Sequence, residues 1–329
     1  MIFVTGANGL LGSHICKALI DNGYTVKALV REDSNTFLLD DYLDKLEIVN
    51  GDILNPESFD NELEDVKAII HCAAVVSFHQ ADKALMDKVN VEGTANMVNL
   101  ALDKNIEYFL QISSVAALGR LTGFGTVTED NKWQESKWNS NYATSKYYAE
   151  LEVWRGIEEG LTAAMINPSV ILAPGVGAKS SSQLFSYVWK ESTFYPMGKV
   201  NYVDVRDVCK AALQCLKLKK TKERYIVNGG ITTYKELFDL IAKGFGKKPP
   251  HIKSNPFLLK IGMFLDKLRS LITGKKTIIT TETAKLTKSE IYFDNTKAKN
   301  ELNISFADLS DSIEWTCSKI KEQKSKLYT

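Results

Sequence analysis

The chain has 329 residues, 41 lysines and arginines against 40 aspartates and glutamates, and a formal net charge of +1. This length suits one large or two modest domains whose core needs no disulfide or metal to hold it. The hydrophobic fraction of 44% and the charged fraction of 25% exclude a disordered chain, and the near-zero charge lacks the basic surplus of nucleic-acid-binding proteins. We therefore expect a globular protein with no nucleic-acid partner.

The cysteine pattern and the N-terminal residues indicate a compartment. Five cysteines, an odd number without a C-x-x-C pair, are typical of reduced thiols and predict no metal site. The opening residues Met1-Ile2-Phe3-Val4-Thr5 lack the basic start of a signal peptide. No stretch reaches the ~18 uninterrupted apolar residues of a spanning helix. We expect a cytoplasmic protein with no spanning membrane segment.

Short apolar runs alternate with helical periodicities through the first half of the chain. In chain order the patterns predict strand 1–5, helix 10–22, strands 24–30, 46–49 and 67–71, helix 81–104, strand 107–113, helix 141–159 and strand 161–167. Apolar strands separated by crossover helices are typical of an α/β fold. We predict a doubly wound parallel sheet covered on both faces.

Beyond Pro168 the pattern becomes less regular. It predicts strand 200–205, helix 206–218, strand 224–228, helix 257–272, a Thr/Lys-rich run 273–289 and a last helix near 308–322. We assign residues 1–167 to a first domain, with returning segments at about 199–228. Residues 168–198 and 229–329 form a smaller, discontinuous lobe. The apolar helix 257–272 favours a cover over that lobe or a dimer contact, with a membrane-surface helix as the alternative.

A glycine-rich segment joins the first strand to the first helix. Glycines permit a tight turn, close approach of the backbone to a pyrophosphate and tight helix–strand packing, while the helix N-terminus offers free N–H groups to the anion. This position on the first strand–helix turn predicts a Rossmann-type dinucleotide-binding domain, although a purely structural turn is the alternative. The residues that we expect to bind the dinucleotide here are Gly6, Ala7, Asn8, Gly9, Leu10, Leu11 and Gly12.

The G-x-x-G-x-x-G spacing resembles the extended short-chain dehydrogenase/reductase family, which is the NAD-dependent epimerase/dehydratase family. Two later segments share the resemblance, Gly51-Asp52-Ile53-Leu54 after the third strand and His71-Cys72-Ala73-Ala74 after the fourth. The resemblance implies that Asp52 and Ile53 lie at the adenine end of the cofactor. It also implies that Ala73 and Ala74 line the cofactor.

The end of the second strand bears on the choice of cofactor. An NAD-selective site usually has a carboxylate there, which binds the ribose 2′-hydroxyl. Val30 holds that position, and the planar guanidinium of the next residue, Arg31, can pair with a 2′-phosphate. Glu32 and Asp33 follow and can offset its charge. We predict NADP(H), with NAD(H) as the alternative.

A Y-x-x-x-K pair, Tyr142 and Lys146, begins the helix 141–159, and a spacing of four places both side chains on one face. Acid–base catalysis near neutrality needs a phenol pKa below its usual ~10, and a neighbouring ammonium lowers it. We predict that Tyr142 exchanges the proton and that both residues contact the cofactor. The family's third catalytic member is a serine at the end of the preceding strand; Ser114 aligns best with it and Ser113 second, its hydroxyl binding the substrate oxygen.

Three further residues enter through the resemblance. Asn90 matches a helix asparagine that shapes the site near the cofactor, with a purely structural hydrogen bond as the alternative. Pro168 and Val170 follow the last strand of the first domain and line the nicotinamide carboxamide.

The segments 167–175 and 203–208 are similar to N-P-x-x-I-x-G-P-G and V-D-V-R-D-V of the dihydroflavonol reductase-like group. Gly119 stands where plant flavonoid reductases have a substrate-contacting asparagine, so flavonoid specificity is not implied. Sugar-nucleotide epimerases tend to have an arginine where this chain has Lys199. Side chains that can line an apolar substrate pocket are Phe78, His79, Phe124, Trp133, Trp138 and Tyr187, with the two tryptophans in a lid-length loop of over twenty residues before helix 141–159.

We therefore predict an NADP(H)-dependent oxidoreductase that reduces a ketone or aldehyde, or oxidises the alcohol, with a Ser–Tyr–Lys site. An NAD-dependent nucleotide-sugar epimerase or dehydratase is the first alternative. A non-catalytic dinucleotide-binding regulator is the second. The expected partner is a small carbonyl or alcohol substrate, and a homodimer is possible.

Overall fold

The computed structural model describes residues 1–119, 124–136, 139–175, 181–254 and 290–328. Its largest sheet has seven strands, all parallel, which confirms the predicted architecture. In spatial order these are β3 (Leu46–Asn50), β2 (Val26–Val30), β1 (Ile2–Thr5), β4 (Ala68–His71), β5 (Tyr108–Ile112), β7 (Ala163–Pro168) and β11 (Glu223–Val227).

Helices cover both faces of this sheet, because its central strands are apolar on both sides. On one face pack α1 (Leu10–Asp21), α6 (Val205–Leu218) and α8 (Thr296–Leu302). On the other pack α3 (Gly93–Asp103) and α4 (Asn141–Glu158). The chain is a Rossmann-type doubly wound α/β protein, as the alternation of strands and helices predicts.

The predicted helix 81–104 is present, but it contains a π-helical turn that the prediction lacks. The structure divides it into α2 (Lys83–Met86), a π-helical turn (Asp87–Glu92) and α3. Asn90 lies within the π turn, 1% exposed, and its side chain bonds the backbone of Val75 in another loop. A hydrogen bond to distant backbone is invisible to local periodicity, and π turns are frequent at functional sites.

The second lobe has its own sheet and core. Its sheet contains β8 (Val170–Leu172), β10 (Lys199–Asp204) and β12 (Gly230–Thr233). Three helices pack together beside it, α5 (Ser182–Trp189), α7 (Tyr234–Phe245) and α9 (Leu309–Tyr328). The returning segment 199–228 is shared between lobes, since β10 pairs with β8 and β12 whereas β11 pairs with β7.

Two short strand pairs complete the described structure, β6 (Phe124–Val127) with β14 (Glu290–Phe293) and β9 (Phe194–Tyr195) with β13 (Ile252–Lys253). The segment between β5 and α4, predicted as a loop, thus contains β6, whose partner lies far along the chain. The predicted helix 257–272 and the run 273–289 lie outside the described residues. Within the described ranges, no helix combines the length and apolar character needed to cross a bilayer.

Candidate active site

The turn after β1 requires glycine for steric reasons. Gly6 has φ +62°, and a Cβ there would lie 2.8 Å from the backbone of Ala73; a Cβ on Gly12 would lie 2.1 Å from the carbonyl oxygen of Gly6. Gly9 is the N-cap of α1 and has no side chain to occupy the first N–H groups of the helix. The turn therefore combines a narrow backbone cradle with unoccupied helix N–H donors, which fits a pyrophosphate.

The other residues of this turn fix its position. Ala7 is fully buried, and the Asn8 side-chain amide donates to the carbonyl of Asn35 at 3.0 Å. Leu10 and Leu11 pack against the core beneath α1. These contacts leave the backbone of the turn facing outward at the carboxyl edge of the sheet, where ligands bind in open α/β sheets.

A chain of hydrogen bonds beneath the site fixes the tautomer of His71. On one side of the ring, His71 Nδ1 pairs with Thr5 Oγ1 at 2.7 Å, and that oxygen accepts from Ala73 N–H. On the other side, His71 Nε2 pairs with Thr94 Oγ1. The Thr94 hydroxyl donates to the carbonyl of Asn90. Because Thr94 uses its proton on that carbonyl, His71 donates from Nε2 and accepts at Nδ1. Burial, and then the charge of Lys146, lowers the pKa of His71 to about 3. His71 is therefore a neutral structural link between β1, β4 and the π turn.

Asn90 ties the cofactor-side turn to the predicted catalytic helix. Its Oδ1 accepts from Val75 N–H at 2.7 Å, and its Nδ2 donates to the Val75 carbonyl at 3.0 Å and to Ser145 Oγ at 2.9 Å. Ser145 in turn donates to the carbonyl of Tyr142. The structural hydrogen bonds expected as the alternative for Asn90 are present, and they set the position of α4 relative to β4.

The structure brings Ser114, Tyr142 and Lys146 together at the carboxyl end of β5. Ser114 lies near enough to the phenol of Tyr142 to lower its pKa, and the Lys146 ammonium donates to the carbonyl of Ile112 at 2.8 Å. Lys146 is 2% exposed, and burial lowers its pKa to about 8. Ser113, the second serine candidate, is directed elsewhere, since its hydroxyl donates to buried Glu150.

The expected lowering of the Tyr142 pKa is wrong for this structure. Desolvation raises the pKa of the phenol, and the hydrogen bond from Ser114 opposes that effect. The Lys146 ammonium donates to the carbonyl of Ile112, and desolvation is the larger influence on the phenol. Tyr142 is therefore a protonated acid at neutral pH.

The sequence patterns did not single out a buried carboxylate, that of Glu150, near Lys146. Glu150, one turn further along α4, accepts hydrogen bonds from Ser113 and from the side-chain amide of Asn167, and its Oε2 lies 3.3 Å from Arg224 Nη1. The available signal was the stripe Tyr142-x3-Lys146-x3-Glu150, which places three ionisable side chains on one helix face.

The predicted residues at the adenine end lie on neighbouring strand ends. Arg31 follows β2 directly and is exposed. Asp52 accepts from the N–H of Leu54 through Oδ1, which fixes the turn after β3. Ile53 is buried, and its side chain would lie 2.5 Å from a Cβ on Gly93, so it packs against the start of α3.

The residues predicted to line the substrate pocket lie in different parts of the structure. Phe78 meets the Tyr142 ring edge-on at 6.0 Å, and Trp133 stacks on Tyr147 at 4.4 Å and covers Gly119. The His79 Nδ1 accepts from Ala81 N–H. That bond caps a short turn and supports a packing role.

The remaining predicted site residues lie in the second lobe, at strand ends or on a turn, or fall outside the described residues. Tyr187 donates to the Phe194 carbonyl and packs on Phe238, so these contacts lie within the second lobe. Pro168 ends β7, and Val170 begins β8. Ala74 is exposed on the turn after β4. Trp138 and the side chain of Phe124 lie outside the described residues.

Comparison with known proteins agrees with the motifs. A protein of Synechocystis sp. provisionally named dihydroflavonol 4-reductase is 26% identical over 325 residues, covering 95% of this chain and 93% of its own. Cinnamoyl-CoA reductase 1 of Oryza sativa subsp. japonica is 25% identical over 268 residues, covering 77% of this chain and 78% of its own.

Solved structures agree on the fold. The crystal structure of gox2253 superposes with a TM-score of 0.81 at 28% identity and covers 98% of both chains. UDP-glucuronic acid 4-epimerase from Bacillus cereus, solved with NAD, superposes with a TM-score of 0.76 at 18% identity and covers 98% of this chain and 99% of its own. The second likeness concerns the fold alone.

The model of the NAD dependent epimerase/dehydratase family matches residues 2–229, and the chain belongs to that family. It is an NAD(P)-dependent oxidoreductase of the extended short-chain dehydrogenase/reductase type, as the glycine spacing and the segments after β3 and β4 predict.

Proposed function

We propose that this protein reduces a small to medium, partly apolar ketone or aldehyde with NADPH, or oxidises the corresponding alcohol. The observation that carries the proposal is the convergence of Ser114, Tyr142 and Lys146 at the end of β5, at the same edge of the sheet as the glycine turn after β1. Such a set meets the needs of proton transfer at a carbonyl oxygen, namely an acid, a hydroxyl donor and a fixed positive charge.

The bound nicotinamide would supply the hydride, and the chain's own residues act on the oxygen. Ser114 donates a hydrogen bond to the substrate oxygen and orients it. Tyr142 gives its phenolic proton to that oxygen as negative charge develops there. Lys146, whose pKa is about 8, is largely protonated at pH 7 and would hold the nicotinamide ribose. In the oxidative direction the phenolate takes the proton back.

The raised pKa of Tyr142 favours the reductive direction. Carbonyl reduction begins with a protonated phenol, whereas alcohol oxidation begins with phenolate. Because desolvation keeps the phenol protonated, the free enzyme starts in the state that reduction requires. The neighbouring ring of Phe78 supports an apolar substituent on the substrate.

Arg31 supports NADPH over NADH. It is exposed directly after β2, where a dinucleotide domain meets the adenosine ribose. Charge-assisted hydrogen bonds to a phosphate contribute about 1.5–3 kcal/mol, which corresponds to about 10–100-fold in affinity. NADPH is therefore the proposed cofactor.

The test is a fluorescence titration of the purified protein with NADPH and NADH, followed by a screen of aldehydes and ketones for NADPH oxidation. Arg31→Ala should weaken NADPH by about 10–100-fold and NADH little. Lys45→Ala is the matched control, because it removes an exposed positive charge at the start of β3, on the opposite edge of the sheet.

Equal losses for both cofactors in Arg31→Ala would remove its role at the 2′-phosphate. Nicotinamide retained through gel filtration, with no carbonyl turnover, would instead favour the epimerase or dehydratase alternative. Cofactor binding without turnover of either kind would favour the regulator.

We also propose a cytoplasmic homodimer. All five cysteines are free thiols, which supports a reducing compartment. Leu85 on α2 and Tyr148 and Leu151 on α4 are 49%, 43% and 41% exposed on two helices in contact, and they are the candidate contact surface. Sedimentation of the wild type and of Leu151→Asp tests this, and a wild-type monomer would contradict it.

A further inference from the structure

Glu150 occupies an enclosed position between the catalytic helix and the sheet. Its side chain is 1% exposed and that of Arg224 is 18% exposed. Ser113 from the end of β5 and Asn167 from β7 donate to one carboxylate oxygen, and Arg224 from β11 lies 3.3 Å from the other. Groups from three neighbouring strands therefore fix one carboxylate.

Lys146 lies one turn away on the same helix face and lacks a bonded counter-charge. Its described hydrogen bond goes to the neutral carbonyl of Ile112, while its side chain is almost fully buried. A buried ammonium is costly unless negative charge stands near it. Glu150, four residues further on the same helix face, carries the negative charge that acts on Lys146.

The other titratable groups around Lys146 cannot take this role. Tyr142 lies one turn earlier on α4 and is protonated, and neutral His71 lies beneath it on β4. Cys72 follows β4, and burial keeps its thiol protonated by raising its pKa. Arg224 is positive and lies beyond Glu150.

We propose that Glu150 is a positioning residue of the reaction, whose fixed carboxylate keeps Lys146 charged in its buried site. The proposal rests on the reductase function proposed above. In the same sense, the charge of Glu150 raises the pKa of Lys146 against the larger lowering by burial. Ser113, Asn167 and Arg224 hold the carboxylate where it acts.

The direction in which the pKa of Lys146 changes in a Glu150 variant distinguishes this role from a merely structural one. Glu150→Gln removes the negative charge and should lower the pKa of Lys146 by about one unit from about 8, which reduces its protonated fraction at pH 8 about fivefold. A variant that only loosened the packing would admit water around Lys146, and its pKa would rise or stay the same.

The experiment measures Lys146 directly in the full chain. Lysine labelled with ¹³C at Cε is titrated by NMR in the wild type, Glu150→Gln and Glu150→Asp, with the Lys146 signal assigned by its loss in Lys146→Arg. The pH profile of kcat/KM for NADPH oxidation with cinnamaldehyde is recorded in parallel. We expect the alkaline limb and the NMR midpoint to move down together in Glu150→Gln and to recover in Glu150→Asp.

Glu152→Gln is the matched control, because Glu152 lies two residues further on α4 and pairs with Arg155 on the outer side. An unchanged or raised Lys146 midpoint in Glu150→Gln overturns the proposal. If that variant does not fold, a midpoint lowered by about a full unit in the charge-retaining Glu150→Asp overturns it, and a midpoint near wild type supports it. Absence of carbonyl turnover in the wild type contradicts the proposed function instead, and the NMR titration still tests Glu150.

Discussion

The phenol of Tyr142 has two neighbours of different character. The Phe78 ring meets it edge-on and offers no hydrogen bond, while the Ser114 hydroxyl lies near enough to lower its pKa. Desolvation keeps the phenol protonated, and Ser114 acts on its pKa in the opposite direction. A substrate oxygen placed beside Ser114 therefore meets both donors at once, as electrostatic stabilisation of developing charge requires.

Tyr142→Phe tests the acid directly. We expect kcat for NADPH-dependent carbonyl reduction to fall by at least about 100-fold, because the proton donor is lost while the ring remains packed. The Kd for NADPH should change little. Tyr148→Phe on the same helix removes a hydroxyl from a 43% exposed side chain and should leave kcat unchanged; turnover retained in Tyr142→Phe would contradict the assignment.

At the residue scale the sequence predicts groups whose relationship is local. The spacing of Tyr142 and Lys146 follows from helix geometry. The pair of Glu150 and Arg224 spans 74 positions and depends on which strand lies beside which, so no local pattern indicates it. The wrong expectation for the Tyr142 pKa has a similar origin, because burial of the phenol depends on the tertiary packing around it.

Among the structural elements, the turn from β1 to α1 carries the strongest steric demand. Gly6 combines a positive φ with a close approach to Ala73, whereas Gly23, beyond the end of α1, has φ +79° and open space around its Cβ position. A comparison of alanine substitutions at the two glycines therefore distinguishes the cost of a positive φ from the cost of steric overlap.

Gly6→Ala should reduce the free energy of unfolding by about 2–5 kcal/mol, because a left-handed residue and an overpacked contact both contribute. Gly23→Ala should cost only about 1–2 kcal/mol. Urea unfolding measures both, and NADPH titration of the folded Gly6→Ala protein should show weakened binding. Similar losses in the two variants would mean that the turn can move away from Ala73.

Element prediction succeeds where periodicity is strong and regular. The strands of the large sheet and the helices α1, α4 and α6 follow from apolar patterning. The π turn at Asp87–Glu92 does not follow from this patterning, because it depends on the tertiary hydrogen bonds of Asn90 with Val75 and Ser145. β6 is also missed, since its partner β14 lies more than 160 positions later and a four-residue strand carries little periodic signal.

On the scale of the whole molecule, the order of strands in the sheet brings the turns after β1, β4 and β5 to one edge. The hydrogen bonds of Thr5, His71 and Thr94 connect these turns through the core. The second lobe is harder to predict, because its sheet draws strands from before and after the returning segment. Its division from the first lobe stays a prediction.

The buried His71 makes the stability of the whole fold depend on pH. Its pKa is about 3 in the folded state and 6.5 in the unfolded state, so below pH 6.5 the unfolded chain binds a proton that the folded protein does not. The contribution of His71 to the free energy of unfolding is therefore fully present above pH 6.5 and is lost as the pH falls towards 3. Protonation of Nδ1 would also place a second hydrogen against Thr5 Oγ1.

Between pH 6.5 and 4.5 the free energy of unfolding should fall by about 2 kcal/mol through His71 alone. Urea unfolding at half-unit steps of pH measures this, and His71→Gln should flatten the dependence while lowering stability at pH 7, because its two threonine contacts are weakened. His251→Gln, at an exposed histidine, should leave the slope as in the wild type. A slope that persists in His71→Gln would assign the effect to half-buried His14, whose pKa burial also lowers.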